Sequence, residues 1–291
     1  MCSFNKDTIR ETHIVKEQAQ PIRLQEYGVG IFEALPTKSS LKKAIKKKYI
    51  YINTSLATTG TLLNGGETIT LHQPSEKQNR RFFSLPLEVI YEDDFLALIN
   101  KPPGVLVSGN AFKTISNALP QNLIKSSQKD AVAPKPAHRL DFPTSGLLLV
   151  GKTASSILAL NRLFEHKEIS KSYYAITIGV MNIKKDTITS AINGKHAIST
   201  YEVLDSLPSE NFEYLNLVKL VPLTGRRHQL RKHLASIGNP ILGDADYGFE
   251  GKILKGKGLY LHAFSLEFTH PKINKKMYFE KELPNKFMKL F

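Results

Sequence analysis

The stretch HRLDFPTSG at 138–146 places one carboxylate, Asp141, inside turn chemistry. Asp and Ser bond local backbone, Pro fixes φ and Gly permits positive φ. The apolar run Leu147 to Val150 that follows reads as a strand buried on both faces. Asp141 therefore belongs to a loop at the edge of a buried strand, where rigid scaffolds present functional groups. A carboxylate there serves acid–base or nucleophilic chemistry, or it closes an Asx turn with Arg139 as its ion-pair partner. A second stretch, HKEISKSYYAITIGV at 166–180, alternates as a strand. Tyr174, Ile176, Ile178 and Val180 form the better core face, so Tyr173 is expected to point to the opposite, open side. There it can stack on a base and use its hydroxyl, or be an ordinary strand tyrosine. A third stretch, LTGRRHQLRKHLASIGNPILGD at 223–244, carries Leu230, Leu234 and Ile237 at helical spacing, with Gly238 suited to the C′ position. Arg226, Arg227 and His228 fall at the start of that helix, where the dipole disfavours cations. That placement points to an anion nearby, phosphate or carboxylate, or leaves two solvated arginines.

The elements that must hold these residues are mostly strand-like. VIYEDDFLALINKPPGV at 89–105 reads as a strand that the two prolines force to end. Thr153 suits the cap of a helix whose apolar stripe includes Ile157, Leu160 and Phe164. Many short strands, few long helices and no regular βαβ alternation predict an α+β fold.

Composition narrows the function. The chain of 291 residues carries 40 Lys+Arg against 26 Asp+Glu, a formal net charge of +14. Such a surplus favours a polyanionic partner, nucleic acid ahead of an anionic membrane. The lone cysteine, Cys2, excludes an internal disulfide and fits a reducing compartment, so a cytoplasmic location is expected. The N-terminal residues have no apolar h-region, and no apolar run approaches the ~18 residues of a membrane span. There is no zinc-type Cys/His cluster and no GxGxxG or GxxxxGK[ST], so neither a metal nor a nucleotide cofactor is expected.

By composition, residues 1–20 read as a polar arm, 21–72 as a small basic unit, 73–84 as a polar linker and 85–291 as the large region. In the small unit, KSSLKKAIKKK at 38–48 predicts a helix opened by a Ser cap, with Leu41, Ala44 and Ile45 inward. Lys42, Lys43, Lys46 and Lys47 cover its other faces, as an RNA-binding surface or simply a solvated one. YIYIN reads as a strand, and LLNGGETITL as a hairpin turning at Asn64-Gly65-Gly66. This unit resembles an S4 RNA-binding domain, whose usual ending corresponds here to Gly66-Glu67-Thr68-Ile69. Lys stands where that family usually has Arg, which weakens bidentate contacts.

The large region resembles the RluA family of pseudouridine synthases over residues 89–270. The motifs are NKPPG (100–104), HRLDFPTSG (138–146), KSYYA (171–175), TGRRHQLRKH (224–233), PILGD (240–244) and LHA (261–263). Ser199 stands where the family more often has Thr, and keeps the hydroxyl. The resemblance implies a mixed, mostly antiparallel central sheet with peripheral helices and a central cleft. It implies an isomerase that converts uridine in structured RNA to pseudouridine without cofactor or metal. Asp141 is then the essential carboxylate, attacking C1′ or removing the 2′ proton. Tyr173 stacks on the uracil and is a candidate to take the C5 proton, and Arg231 is the cation beside Asp141. Arg139 holds the flipped nucleotide or the space it leaves, with His138, Arg226 and His228 as substrate contacts. An S4-like unit favours large-subunit ribosomal RNA over transfer RNA. A monomer is expected. Two other classes compete: a non-catalytic RNA-binding or ribosome-assembly protein, and a glycosidase, which would need a second carboxylate that the three motifs do not supply.

Overall fold

The computed structural model describes residues 8–73, 83–254 and 256–291. The chain divides into two compact units between residues 81 and 82. That division falls inside the stretch read as a linker, most of which lies outside the described residues.

The first unit runs β1 (Thr8–Ile14), β2 (Ile22–Arg23), α1 (Leu24–Tyr27), α2 (Lys38–Lys46), β3 (Ile50–Ile52), β4 (Ser55–Leu56), β5 (Leu62–Leu63) and β6 (Thr68–Gln73). Residues 8–14 are not an arm. They pair with β6 at the edge of a four-stranded sheet ordered β1-β6-β3-β4, and Val15 is buried beside them. Helix α2 forms as its periodicity predicts, with Leu41, Ala44 and Ile45 in the core. Its cap is Thr37, not a serine: Thr37 and Ser40 exchange side-chain to backbone hydrogen bonds as a capping box. Lys42, Lys43, Lys46 and Lys47 are all exposed. The hairpin expected at Asn64-Gly65-Gly66 does not form. Strand β5 pairs with β2, whereas β6 pairs with β1 and β3. Between them the Glu67 carboxylate accepts the backbone N–H groups of Asn64 and Gly65, so the turn is closed by a side chain.

The second unit contains β7 (Glu88–Glu92), β8 (Leu96–Lys101), α3 (Ile115–Ala118), β9 (Ala131–Pro136), β10 (Ser145–Thr153), α4 (Ala154–Glu165), β11 (Ser170–Ile178), β12 (Lys185–Thr189), β13 (Ile198–Ser209), β14 (Glu213–Pro222), α5 (Gln229–Ser236), β15 (Leu261–Thr269), β16 (Lys276–Glu280) and α6 (Asn285–Met288). Its sheet has the order β12-β13-β14-β11-β15-β10-β8-β7, with β16 on β15 and β9 on β10. Every pairing is antiparallel except a short parallel contact between β10 and β15. The fold is α+β, with a mixed, mostly antiparallel sheet and peripheral helices. No described helix is long and apolar enough to cross a membrane.

Strand β10 is buried along its whole length, as the run Leu147 to Val150 demands. Its first residues, Ser145 and Gly146, pair with His262 and Ala263 of the LHA motif. The loop bearing Asp141 is therefore anchored where the two antiparallel parts of the sheet meet. Thr153 caps α4 through a capping box with Ser156, in agreement with the sequence. Ile237 departs from the helical reading: α5 ends at Ser236, so Ile237 is exposed, and Gly238 takes φ 80° just after it.

Candidate active site

A cleft of about 690 Å³ opens in the second unit. One wall is the loop of residues 137–141 and Thr144, another is the end of α4 with β11, and the third is the segment from Pro222 to Arg231. Asp141, Tyr173, Arg231, Arg139, His138, Arg226 and His228 all line it, although they come from three stretches of chain.

The Asp141 side chain is 15% exposed and accepts no hydrogen bond from another described residue. Among the described residues its ion-pair neighbour within 4 Å is His228, whose Nε2 lies 3.8 Å from Oδ1. The loop itself is tied by backbone hydrogen bonds. Thr144 donates its N–H to the Asp141 carbonyl at 3.1 Å, and Gly104 donates to the Phe142 carbonyl at 2.8 Å.

Tyr173 is only 8% exposed and belongs to the main apolar core as well as to the cleft. The expected open side is absent because both faces of this sheet are covered. Ala175 and Thr177, on the Tyr173 face, are as buried as Ile176 and Ile178 on the other. Burial, with the Asp141 charge adding to it, pushes the Tyr173 phenol well above its usual range. The hydroxyl therefore stays protonated and suits donation and stacking far better than proton abstraction.

Arg231 does not pair with Asp141. Its guanidinium donates to both Asp244 oxygens, at 2.8 and 2.5 Å, and to Asp246 Oδ2 at 2.7 Å. Asp244 is buried, and it also accepts the N–H groups of Asp246 and Tyr247. The bidentate geometry and the two carboxylates decide the competition. Asp141, without that geometry, is left free of Arg231. Tyr247 packs its ring 4.9 Å from the Arg231 guanidinium carbon.

The segment before α5 is held by Gln229. Its Oε1 accepts from the Thr224 hydroxyl and the Arg226 N–H, and its Nε2 donates to the Ile198 carbonyl and to Ser199 Oγ. Ser199 Oγ also meets His233 Nδ1 at 3.0 Å, so the hydroxyl retained at position 199 is in use.

The RNA pseudouridylate synthase family model matches residues 95–236. The ribosomal large subunit pseudouridine synthase D of Vibrio cholerae is 31% identical over 97% of this chain and 94% of its own. The ribosomal large subunit pseudouridine synthase C of Rickettsia bellii is 32% identical over 91% of this chain and 95% of its own. The chain belongs to the RluA family of pseudouridine synthases. Among solved structures, human RNA pseudouridylate synthase domain containing 1 superposes with a TM-score of 0.56 at 26% identity, covering 67% of this chain and 83% of that one.

In this synthase, His138 is occupied by structure. Its Nε2 accepts the Leu149 N–H at 3.0 Å, and its ring lies 4.8 Å from that of Phe164. Burial draws its pKa down to about 3, so the ring is neutral. With Nε2 accepting from the backbone, the neutral ring carries its hydrogen on Nδ1, so His138 shapes the wall and can act only as a donor. Arg139 is exposed at the rim. Arg226 donates through Nε to the His196 carbonyl at 3.1 Å and is otherwise open to solvent.

Lys101 is a site residue that the motif pattern alone does not reveal. It is fully buried, and its ammonium donates to the carbonyls of Pro102 (2.9 Å), Phe142 (3.3 Å) and Thr144 (2.7 Å). Burial draws its pKa down to about 8, against the opposing charge of Asp141. One cation thus ties the NKPPG loop to the loop that carries Asp141. The signal in the sequence was a Lys directly before two prolines, which cannot donate to any of these carbonyls themselves. Lys101→Met keeps the volume but leaves three acceptors without a donor. We expect it to lose about 2–4 kcal/mol of stability. We also expect kcat to fall by roughly 10- to 100-fold, because the Asp141 loop is no longer held in place. Thermal unfolding and single-turnover kinetics measure the two effects.

Proposed function

We propose that this synthase isomerises uridines of large-subunit ribosomal RNA, acting as a cytoplasmic monomer with Asp141 as the reacting carboxylate. The observation that carries the catalytic part is the meeting of Asp141, Tyr173 and the Arg-rich wall in one cleft. A uridine inside a stack cannot reach such a cleft, so it must flip out at a cost of a few kcal/mol. Arg139, exposed at the rim, is placed to hold the flipped nucleotide. Tyr173 stacks on the uracil and offers its hydroxyl. Asp141, which accepts no hydrogen bond from the described residues, has its lone pairs open for attack on C1′ or removal of the 2′ proton. The reaction breaks N1–C1′ and forms C5–C1′; the C5 proton leaves and N1 takes up a proton, so the product is an isomer of the substrate.

The ribosomal target is supported by the printed names of the Vibrio and Rickettsia relatives. The exposed lysines Lys42, Lys43, Lys46 and Lys47, on an S4-like unit, supply a phosphate-binding surface for a large RNA. We expect pseudouridine mapping of total RNA from cells with and without the gene to show loss of a small number of sites in large-subunit ribosomal RNA. Loss confined to transfer RNA would overturn the ribosomal assignment and leave the reaction class standing.

A further inference from the structure

His228 is bound into the site in a way that a simple substrate ligand would not need. It is the residue immediately before α5, and its backbone is left-handed, with φ 56° and ψ 26°. Residues at this position are usually Ser, Thr, Asp or Asn with extended backbone and a capping side chain. His228 provides no side-chain cap. A non-glycine residue in this region is uncommon and persists only where its surroundings hold it. What holds it is on the ring. Nδ1 lies 2.9 Å from the Tyr247 hydroxyl and 3.3 Å from Arg231 Nη1. The left-handed turn thereby swings the ring off the helix and between Arg231 and Asp141.

The network assigns the ring proton. Arg231 can only donate, so Nδ1 is an acceptor and the hydrogen of the neutral ring sits on Nε2. Nε2 is the atom that faces Asp141 Oδ1 at 3.8 Å. Arg227 Nε also approaches Nε2, at 3.4 Å, and would need a lone pair there. Arg227 is exposed, whereas Arg231 is fixed by two carboxylates, so the buried contact sets the tautomer. The separation of 3.8 Å is longer than a hydrogen bond, and contacts of this kind tighten as a reacting complex forms.

We propose that His228 is the positioning residue for Asp141, and that Arg231 acts on the carboxylate only through it. The chain of contacts runs from Asp244 and Asp246 to Arg231, from Arg231 to His228, and from His228 Nε2–H to Asp141. It reassigns His228 from substrate contact to the group that orients the reacting carboxylate, and it gives Arg231 a task other than a direct ion pair. The inference rests on Asp141 being that carboxylate.

Three variants test it against the wild type. Glycine accepts a left-handed φ without strain, so His228→Gly removes the ring and spares the backbone. Asn also tolerates this conformation, and its amide can still donate toward Asp141. We expect His228→Gly to lower kcat about 100-fold, with KM for RNA within about twofold of wild type and the melting temperature unchanged. His228→Asn is expected to recover at least about tenfold of that loss, as a shorter donor on the same backbone. Full kcat in His228→Gly, a loss confined to KM, or no advantage of Asn over Gly would each overturn the proposal. Should the glycine variant unfold, the kcat-against-KM split of His228→Asn decides in the same way. Asp141→Asn runs as a control. If it retains turnover, the assignment of Asp141 fails, independently of the outcome at His228.

Discussion

Asp141→Asn is expected to bind RNA as tightly as wild type and to form no detectable pseudouridine, a loss of at least about 10⁴-fold. The amide has the size of the carboxylate and removes only the charge and the basic lone pairs. Among the described residues the Asp141 side chain accepts no hydrogen bond, and its ion-pair neighbour within 4 Å is His228 at 3.8 Å; the buried Lys101 ammonium feels its charge but is held by three carbonyls that Asn leaves in place. Burial, the largest cause, and the charges of Arg231 and Arg227 lower the His228 pKa against the opposing charges of Asp141 and Asp246, so no ion pair with His228 is sacrificed at neutral pH. RNA affinity, which comes from phosphate contacts by a chain of net charge +14, is set elsewhere. Filter binding and mass spectrometry of digested RNA measure the two properties separately. Wild-type product from this variant would sink the role of Asp141, and a parallel loss of binding would show that the carboxylate orders the RNA site as well.

Gly146→Ala is expected to lose about 3–5 kcal/mol of stability, among the larger effects a single methyl can have. Gly146 has φ 115°, which L side chains rarely adopt, and a Cβ there would overlap the backbone of Ala263. Neither can step aside cheaply. Gly146 pairs in parallel with Ala263 and antiparallel with Lys101, so it is fixed on both edges. The neighbouring Ser145 hydroxyl is bonded to His262 Nδ1 at 2.8 Å, which pins the same junction. At roughly 2–4 °C per kcal/mol for a unit of this size, the melting temperature should fall by about 10 °C. Calorimetry reads it directly, and a shift within about 2 °C would show that the strands separate without cost. Turnover should fall with it, because the junction anchors the Asp141 loop. The Gly of HRLDFPTSG is thus needed for strand packing, not only for its turn.

Much of the site was legible because its parts are local. The turn of HRLDFPTSG, the buried run behind it, the Thr153 cap and the helix of TGRRHQLRKH each depend on residues within a few positions of one another. Where the local reading failed, a distant strand or side chain had intervened. The turn at Asn64-Gly65-Gly66 has hairpin residues, yet β5 found a better partner in β2, forty residues earlier. Residues 8–14 are polar enough to read as an arm, and they became a strand only because β6 offered an unpaired edge. Alternation sets Tyr173 opposite Tyr174 correctly, but it does not reveal that both faces of a sheet will be covered.

By itself, then, the sequence determined the α+β class from its pattern of short strands, and the reaction family and the groups expected at the cleft through the resemblance its motifs carry. The tertiary structure decided who partners whom. Arg231 lies thirteen residues from Asp244 and ninety from Asp141, and charge alone is satisfied by either. Folding placed the buried, bidentate Asp244 against the guanidinium, turned His228 toward Asp141, and brought the Lys101 ammonium under the loop from forty residues upstream. Ion pairs and buried hydrogen bonds act over a few ångströms, so only the packing of distant segments could choose among these partners.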